Sequence, residues 1–290
     1  MTDHTQNNRP LKLTVIMVDG SFRERFHSIA SFANQTLAPD EYEIIWVEYF
    51  SDIHPQLRKA LQPHPHARAH TLGRTGEYHS SFCFNYGIEH ARGQLIVIPD
   101  ADVIVEPTFL ENVLADHQAN DQLVEYFYRY NEPQHAHKPE IDLKHLQDVC
   151  ILSNPSNHGA CLSVRKHWLL AINGYEQHPY FATGFHANDL DIYTRLKAMG
   201  LFVRWSPTEK LYHPWHAMTG EYSDNYLAQQ RIIIHRAMHV LTRPFQGIDP
   251  SLDTELPASL AKAIEWQRIQ RMPLPQRVLH KLGRRLQRAA

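Results

Sequence analysis

Apolar residues run through this chain in two alternating rhythms. Residues 11–18 and 42–47 are short apolar, β-branched runs. The first is followed by Phe22, Phe26, Ile29, Ala30 and Ala33 at helical spacing, and the second by a short helical pattern over 56–61. A weaker third run, 67–72, closes at Gly73. The spacing then predicts a helix over 80–90 stopped by Gly93, a continuous apolar run over 94–98, a proline-started helix over 107–118 and a strand over 123–130. A run that is apolar at every position suits a strand covered on both faces. Strands alternating with helices in units of about thirty residues predict an α/β fold with a mostly parallel sheet built from βαβ crossovers.

Residues 131–146 are polar, with Pro133, Pro139 and several histidines, and read as a surface excursion. A strand over 159–164 leads into a helix over 165–172 that stops at Asn173-Gly174. Leu190, Tyr193, Leu196 and Lys197 mark a helix over 186–199 with Gly200 as its stop, and 201–205 is the last strand. From 224 the pattern is helical, over 224–242 and then 258–290 with an interruption at Pro273 and Pro275. The expected organisation is one α/β domain over 1–220 and a helical region over 221–290.

Composition narrows the possible partners. With 43% apolar residues the chain can bury one substantial core. Lys plus Arg number 29 against 31 Asp plus Glu, so no whole-molecule field draws in nucleic acid. Cys83, Cys150 and Cys161 form no spaced framework and read as buried thiols in a reducing compartment. Residues 1–10 lack a basic n-region and an apolar h-region, and no stretch reaches the ~18 apolar residues of a membrane span. The expected location is the cytoplasm, at most peripheral to a membrane. Most of the 21 histidines lie in polar or proline-rich surroundings, such as His64-Pro65-His66 and His135-Ala136-His137, and read as solvated.

Ligands of such sheets bind at the carboxyl ends of the strands. Asp100-Ala101-Asp102 stands at such an end, directly after the run 94–98. Two carboxylates two residues apart can divide a site, one holding a divalent cation and the other meeting a ribose or a metal-bound water. Taken alone the pair is a weak signal; its neighbourhood strengthens it. Upstream, Asn85, Gly87, Ala91 and Gly93 form an N-x-G-x-x-x-A-x-G helix leading into the strand and the DxD. Further upstream are Ser31-x-x-x-Gln35-Thr36 and Glu43-Ile-Ile-Trp-Val-Glu48. Downstream come Gly159 to Arg165, Ile172-Asn-Gly174-Tyr175 and Asn188-Asp189-Leu190-Asp191-x-x-x-Arg195-Leu196.

This series resembles glycosyltransferase family 2 over about residues 11–216. The resemblance implies a GT-A, Rossmann-like fold with a helical C-terminal extension, and metal-dependent, inverting transfer of a sugar from a nucleotide-sugar, a UDP-sugar first, in polysaccharide biosynthesis. The acceptor would be a hydroxyl of a glycan or a lipid-linked molecule. By the same resemblance Asp189, opening a helix, is the catalytic base, ahead of Asp191. Asp102 and a histidine beyond the last strand, His213 ahead of His216, hold Mn²⁺ or Mg²⁺. Asp100 contacts ribose or a metal-bound water. Asp19, Glu48 and Arg74 lie on the donor side, with Tyr78 beside them. An aspartate at a helix start is expected to have a lowered pKa, kept ionised by the dipole and backbone N–H groups.

The chain departs from the family pattern at Val18-Asp19, at Glu48 to Ser51, at Phe84 and at Asn188, which replaces the usual acid before the base. Tyr49 or Phe50 could stack on a base or pack in the core. The departures leave two other readings open: a catalytically idle module that binds a nucleotide or glycan, and a metal-dependent nucleotidyltransferase or hydrolase. From Trp266 to the end there are Arg268, Arg271, Arg277, Lys281, Arg284, Arg285 and Arg288 and no acid, with an apolar stripe of Val278, Leu279, Leu282 and Leu286. This basic amphipathic helix either packs on the catalytic domain or rests on anionic lipid as a peripheral membrane contact.

Overall fold

The computed structural model describes residues 11–182, 187–217, 225–240 and 247–287. Expected helix ends at 186, 224, 241–242 and 288–290, and the expected domain boundary at 220, lie outside the described residues. Eight strands form one sheet: β1 (Leu13–Asp19), β2 (Tyr42–Glu48), β3 (Ala67–Thr71), β4 (Leu95–Pro99), β5 (Leu123–Asn131), β6 (Ile151–Leu152), β7 (Cys161–Arg165) and β8 (Phe202–His213). Their order is β3-β2-β1-β4-β7-β5-β6, with β8 paired to β5.

The β1–β2, β1–β4, β2–β3 and β5–β8 pairs are parallel, while β7 runs antiparallel to β4 and β5, and β6 antiparallel to β5. The inverted β7 is what hydrophobic rhythm cannot disclose, because period-two alternation carries no strand direction. Its effect is to bring several chain ends to one edge. Pro99, ending β4, pairs with Cys161, starting β7, and Asn131, ending β5, pairs with His213, ending β8.

All seven residues of β1 and of β2 are buried, as two-sided coverage demands. On one face lie α1 (His27–Ala33) and α4 (Phe109–Ala119), through Ile29, Phe32, Phe109 and Val113. On the other lie α3 (Ser80–His90), α6 (Lys166–Ala171) and α7 (Asn188–Ala198), through Ile88, Leu169 and Ile192. The spaced glycines have a packing reason. A Cβ at Gly87 would approach Ile16 Cγ2 to 2.5 Å, and one at Gly93 would lie 2.3 Å from the Leu13 carbonyl carbon. Asn85 donates to the Tyr175 carbonyl (2.9 Å) and accepts from its N–H (2.7 Å), tying α3 to the Asn173-Gly174 turn.

Three elements differ from expectation. The first helix starts at His27, leaving 22–26 as a loop with Phe22 exposed. The last strand continues to His213, because the paired register jumps from Trp205 to Lys210 and so carries Pro207 in an irregularity where it owes no ladder hydrogen bond. Besides the expected α2 (Pro55–Leu61) there is α5 (Leu143–Val149), which begins within the polar excursion, N-capped by Asp142 and packed through Leu146 with Ile104 and Tyr212.

At the C-terminal side α8 (Tyr226–His239) packs on α7, and α10 (Ala258–Arg271) on α8, around Phe181, Ile232, Ile233 and Ile264. A short α9 (Pro250–Thr254) lies between α8 and α10, and α11 (Leu274–Gln287) follows. Among the described residues no helix is long and apolar enough to cross a membrane.

Candidate active site

The loop after β4 is anchored from behind by α1. Ser28 Oγ donates to the Ala101 carbonyl (2.6 Å) and His27 Nε2 to the Asp102 carbonyl (2.8 Å), which fixes where the Asp102 side chain points. That carboxylate meets two imidazoles: His213 Nε2 is 3.5 Å from Oδ1 and His216 Nε2 is 3.6 Å from Oδ2. The two Nε2 atoms are 3.1 Å apart, and one ligand atom from each of the three residues falls within 4.8 Å of the others. Asp102 Oδ1 is buried and accepts no hydrogen bond among the described residues. An orphaned carboxylate oxygen beside two imidazole nitrogens is an N₂O donor set, which fits Mn²⁺ better than a hard cation such as Ca²⁺. His213 sits at the end of β8, not beyond it, and His216 joins it as a third candidate ligand.

The turn carrying both histidines is held by Glu132. Its N–H donates to the His213 carbonyl (2.9 Å), and its buried carboxylate accepts from Trp215 N (2.8 Å) and His137 Nδ1 (2.8 Å). His137 and His145 therefore serve this carboxylate, and His66 contacts the Tyr42 hydroxyl (3.2 Å). Both doublets that read as solvated loop histidines thus contain a partly buried, bonded ring.

Electrostatics separate the two DxD carboxylates. Burial works to raise Asp102, but Arg23 and the facing imidazoles of His213 and His216 outweigh it and hold the group well below the usual carboxylate range. His216 is raised mainly by the facing Asp102 carboxylate. Asp100 is raised by burial against the opposing charge of Arg129, with which it forms an ion pair; its N–H donates to the Ala160 carbonyl (2.9 Å).

Asp189 lies in the first turn of α7, against Gly159: a Cβ there would stand 2.7 Å from Asp189 Oδ2. Its pKa is pushed up to about 7, by burial first and then by the charge of Asp100. This reverses the expected lowering. The helix-start field is outweighed because the carboxylate is desolvated and faces another acid. Asp189 therefore lies near enough to the DxD to feel the Asp100 charge. Asp191, by contrast, is wholly buried and ion-paired to Arg195, whose guanidinium also donates to the Ile172 and Gly174 carbonyls. It is neither a surface charge nor free to act as a base.

The profile of glycosyl transferase family 2 matches residues 26–171, half of the chain. This protein belongs to glycosyl transferase family 2. Membership makes it a glycosyltransferase, and the architecture is the GT-A fold of its structural neighbours. TarS residues 1–349 from S. aureus, in complex with UDP-GlcNAc, is 14% identical over 88% of this chain and 70% of its own, with a TM-score of 0.58. GalNAc-T7 with UDP, GalNAc and Mn²⁺ is 11% identical over 89% of this chain and 55% of its own, at 0.59. The Pyrobaculum calidifontis mannosyltransferase PcManGT, with GDP-Man and Mn²⁺, is 15% identical over 96% and 81%, at 0.52. At these identities the likeness is one of fold. No curated protein matches the sequence.

The residues expected on the donor side divide in this chain. Asp19 and Glu48 end paired strands in direct register and are both buried. Asp19 is raised by burial, against Arg23, whose Nη1 lies 2.9 Å from its Oδ1. Glu48 is raised by burial and by Asp19, and accepts from Ser21 Oγ (2.8 Å). Arg74 is apart from these acids: its exposed guanidinium lies over the Phe82 ring, 3.7 Å from the centroid. Tyr49 is buried, edge-on to Phe50 and Tyr78, which is a packing role. Asn188 donates to Ser80 Oγ (2.9 Å) and Ser81 Oγ (3.0 Å), so it ties α7 to α3. Arg23, 3.4 Å from Asp102 and also bonded to Asp19, and Arg129 are the residues that sequence reasoning passed over. Arg23 sits in a stretch with helical spacing and Arg129 in a strand, so neither carried a signal.

Proposed function

We propose that this protein moves a sugar from a nucleoside-diphosphate sugar, a UDP-sugar first, to a hydroxyl of a glycan or lipid-linked acceptor, with inversion at the anomeric carbon. The observation that carries this reading is the convergence of Asp102, His213 and His216 on one point, with Asp189 near enough to Asp100 to feel its charge. Mn²⁺ or Mg²⁺ bound by Asp102, His213 and His216 would supply positive charge for the leaving diphosphate. Asp189 takes the proton of the acceptor hydroxyl as that oxygen bonds to the anomeric carbon. The bond from that carbon to the diphosphate oxygen breaks, and UDP departs with the electron pair. A carboxylate with a pKa near neutrality is well matched to general-base work. Asp100, held by Arg129, meets the ribose or a metal-bound water; Asp19 and Glu48 face the nucleoside, with Arg74 and Tyr78 at the rim. The neighbours' UDP-GlcNAc, UDP and GDP-Man complexes support a nucleotide-sugar donor.

Calorimetry with UDP and Mn²⁺, followed by product analysis on a panel of UDP- and GDP-sugars, tests the reading. Mn²⁺-dependent UDP binding and release of intact nucleoside diphosphate are expected, and Asp189→Asn should abolish turnover while UDP still binds. Near wild-type transfer by that variant would refute the base assignment; inorganic phosphate or pyrophosphate in place of UDP would refute the transferase.

The finer acceptor-side proposal is contact with anionic lipid. Leu274, Val278, Leu279 and Leu282 of α11 are all exposed, which supports the lipid-facing alternative over a helix packed on its own domain. The opposite side of α11 is engaged, with His280 Nε2 3.3 Å from Glu265 of α10. Apolar residues beside an all-basic sequence suit an interfacial helix on the cytoplasmic face of a membrane.

A further inference from the structure

Beside Asp189 lies a group of aromatic rings that the transfer chemistry does not use. β5 supplies Tyr126 and Tyr128, β8 supplies Trp205, the segment before β7 supplies His158, and α7 supplies Tyr193. Tyr128 and Trp205 are stacked, with centroids 5.0 Å apart and planes 20° from parallel. His158 lies 4.4 Å from Tyr193 and 5.5 Å from Trp205, and Tyr126 5.5 Å from Trp205. Three links place the group at the base. His158 precedes Gly159, which touches the Asp189 carboxylate; Tyr193 stands one helical turn after Asp189 on the same face; and Tyr126 feels the Asp189 charge. The carboxylates Asp19 and Glu48 end β1 and β2, beyond β4 and β7 in the sheet, so the rings lie on the side away from these two acids.

Tyr128, Trp205, His158 and Tyr193 are only half-buried, so the group is not closed core. Tyr126 is wholly buried, and its hydroxyl has no hydrogen-bond partner among the described residues. A buried hydroxyl left alone is costly, and a ligand hydroxyl or a water would satisfy it. We infer that these rings form the acceptor subsite and that the acceptor group bound there is a pyranose. A sugar ring offers an apolar C–H face to Trp205 and Tyr128 and hydroxyls at its edge to Tyr126, His158 and Asp189. Five aromatic rings with polar edges match that mixed character, whereas an alkyl chain would leave the hydroxyl of Tyr126 unserved. The inference rests on the transferase reading and specifies its acceptor as carbohydrate at the reacting end, whatever carries it.

Saturation-transfer NMR with methyl glycosides of glucose, galactose, mannose and N-acetylglucosamine, in the presence of UDP and Mn²⁺, tests it. Transfer to ring C–H protons of at least one glycoside is expected, weakened about tenfold by Trp205→Leu and by Tyr128→Leu, which keep apolar bulk but remove the ring face. UDP affinity in each variant reports whether it has folded, and the pair of variants gives two independent chances. No transfer to any glycoside in wild-type protein that binds UDP overturns the subsite. So does unchanged transfer in both folded variants, or equal transfer to hexanol. Wild-type protein that binds neither UDP nor GDP with Mn²⁺ instead sinks the nucleotide-sugar reading, and the subsite falls with it.

Discussion

At the scale of single residues, Asp189 joins chemistry to stability. Only its ionised form can accept a proton, so kcat should rise with pH through about 7. The same shift has a thermodynamic sign. A group whose folded pKa lies above its unfolded value favours folding at low pH, and that contribution is lost as pH rises from the ordinary carboxylate range through about 7. Asn imitates the protonated form, so Asp189→Asn should raise Tm at pH 8 in metal-free buffer and change it little at pH 4. Thermal melts of both proteins at the two values check this; an equal effect at both would contradict the buried, raised carboxylate. Gly159 supplies a sterically sharper test. A methyl group 2.7 Å from Oδ2 must displace the base, so Gly159→Ala should cut kcat by about 100-fold, as small misplacements at reacting centres do. UDP affinity should hold, since Gly159 does not touch the candidate metal ligands; a matching loss of UDP binding would mean a collapsed site.

At the scale of elements, the site depends on how β5 and β8 end together. The Asn131–His213 pairing aligns the two strand ends, and Glu132 then ties the next turn through Trp215. Outer residues that orient metal ligands typically contribute 10- to 100-fold in metal affinity, roughly. Glu132→Ala should therefore weaken Mn²⁺ binding in the presence of UDP by about tenfold or more, measured by calorimetry, with the far-UV spectrum unchanged. Undiminished Mn²⁺ affinity would show that the histidine turn holds itself. The elements themselves were largely legible. β1, β2, β4 and the helix over 80–90 follow from rhythm and glycine stops, because two-sided burial and close helix–strand approach leave their mark on residue type. The continuation of β8 past Pro207 and the helix within the polar excursion did not, since both are settled by what packs against them.

For the whole molecule, the balance of charges hides a local asymmetry in the last helix. Protein should co-sediment with phosphatidylglycerol vesicles, release them as salt is raised, and ignore phosphatidylcholine vesicles. Deletion of residues 273–290 should abolish vesicle binding while transfer to a soluble acceptor continues. Binding that survives the deletion would place the membrane contact elsewhere.

The order of residues along the chain was enough to determine a sheet with helices on both faces, the DxD at the end of a buried strand, and the nomination of Asp189 and His213. The sheet and the DxD rest on local spacing and on which residues must be buried, and the two nominations on the resemblance to the family. The tertiary structure decided the remainder: the inverted β7, the union of His216 with His213 and Asp102, the role of Arg23 between two acids, the internal pairing of Asp191, and the raised pKa of Asp189. These depend on desolvation and on charges from segments far apart in the chain. Such quantities exist only once the edge of the sheet has been assembled.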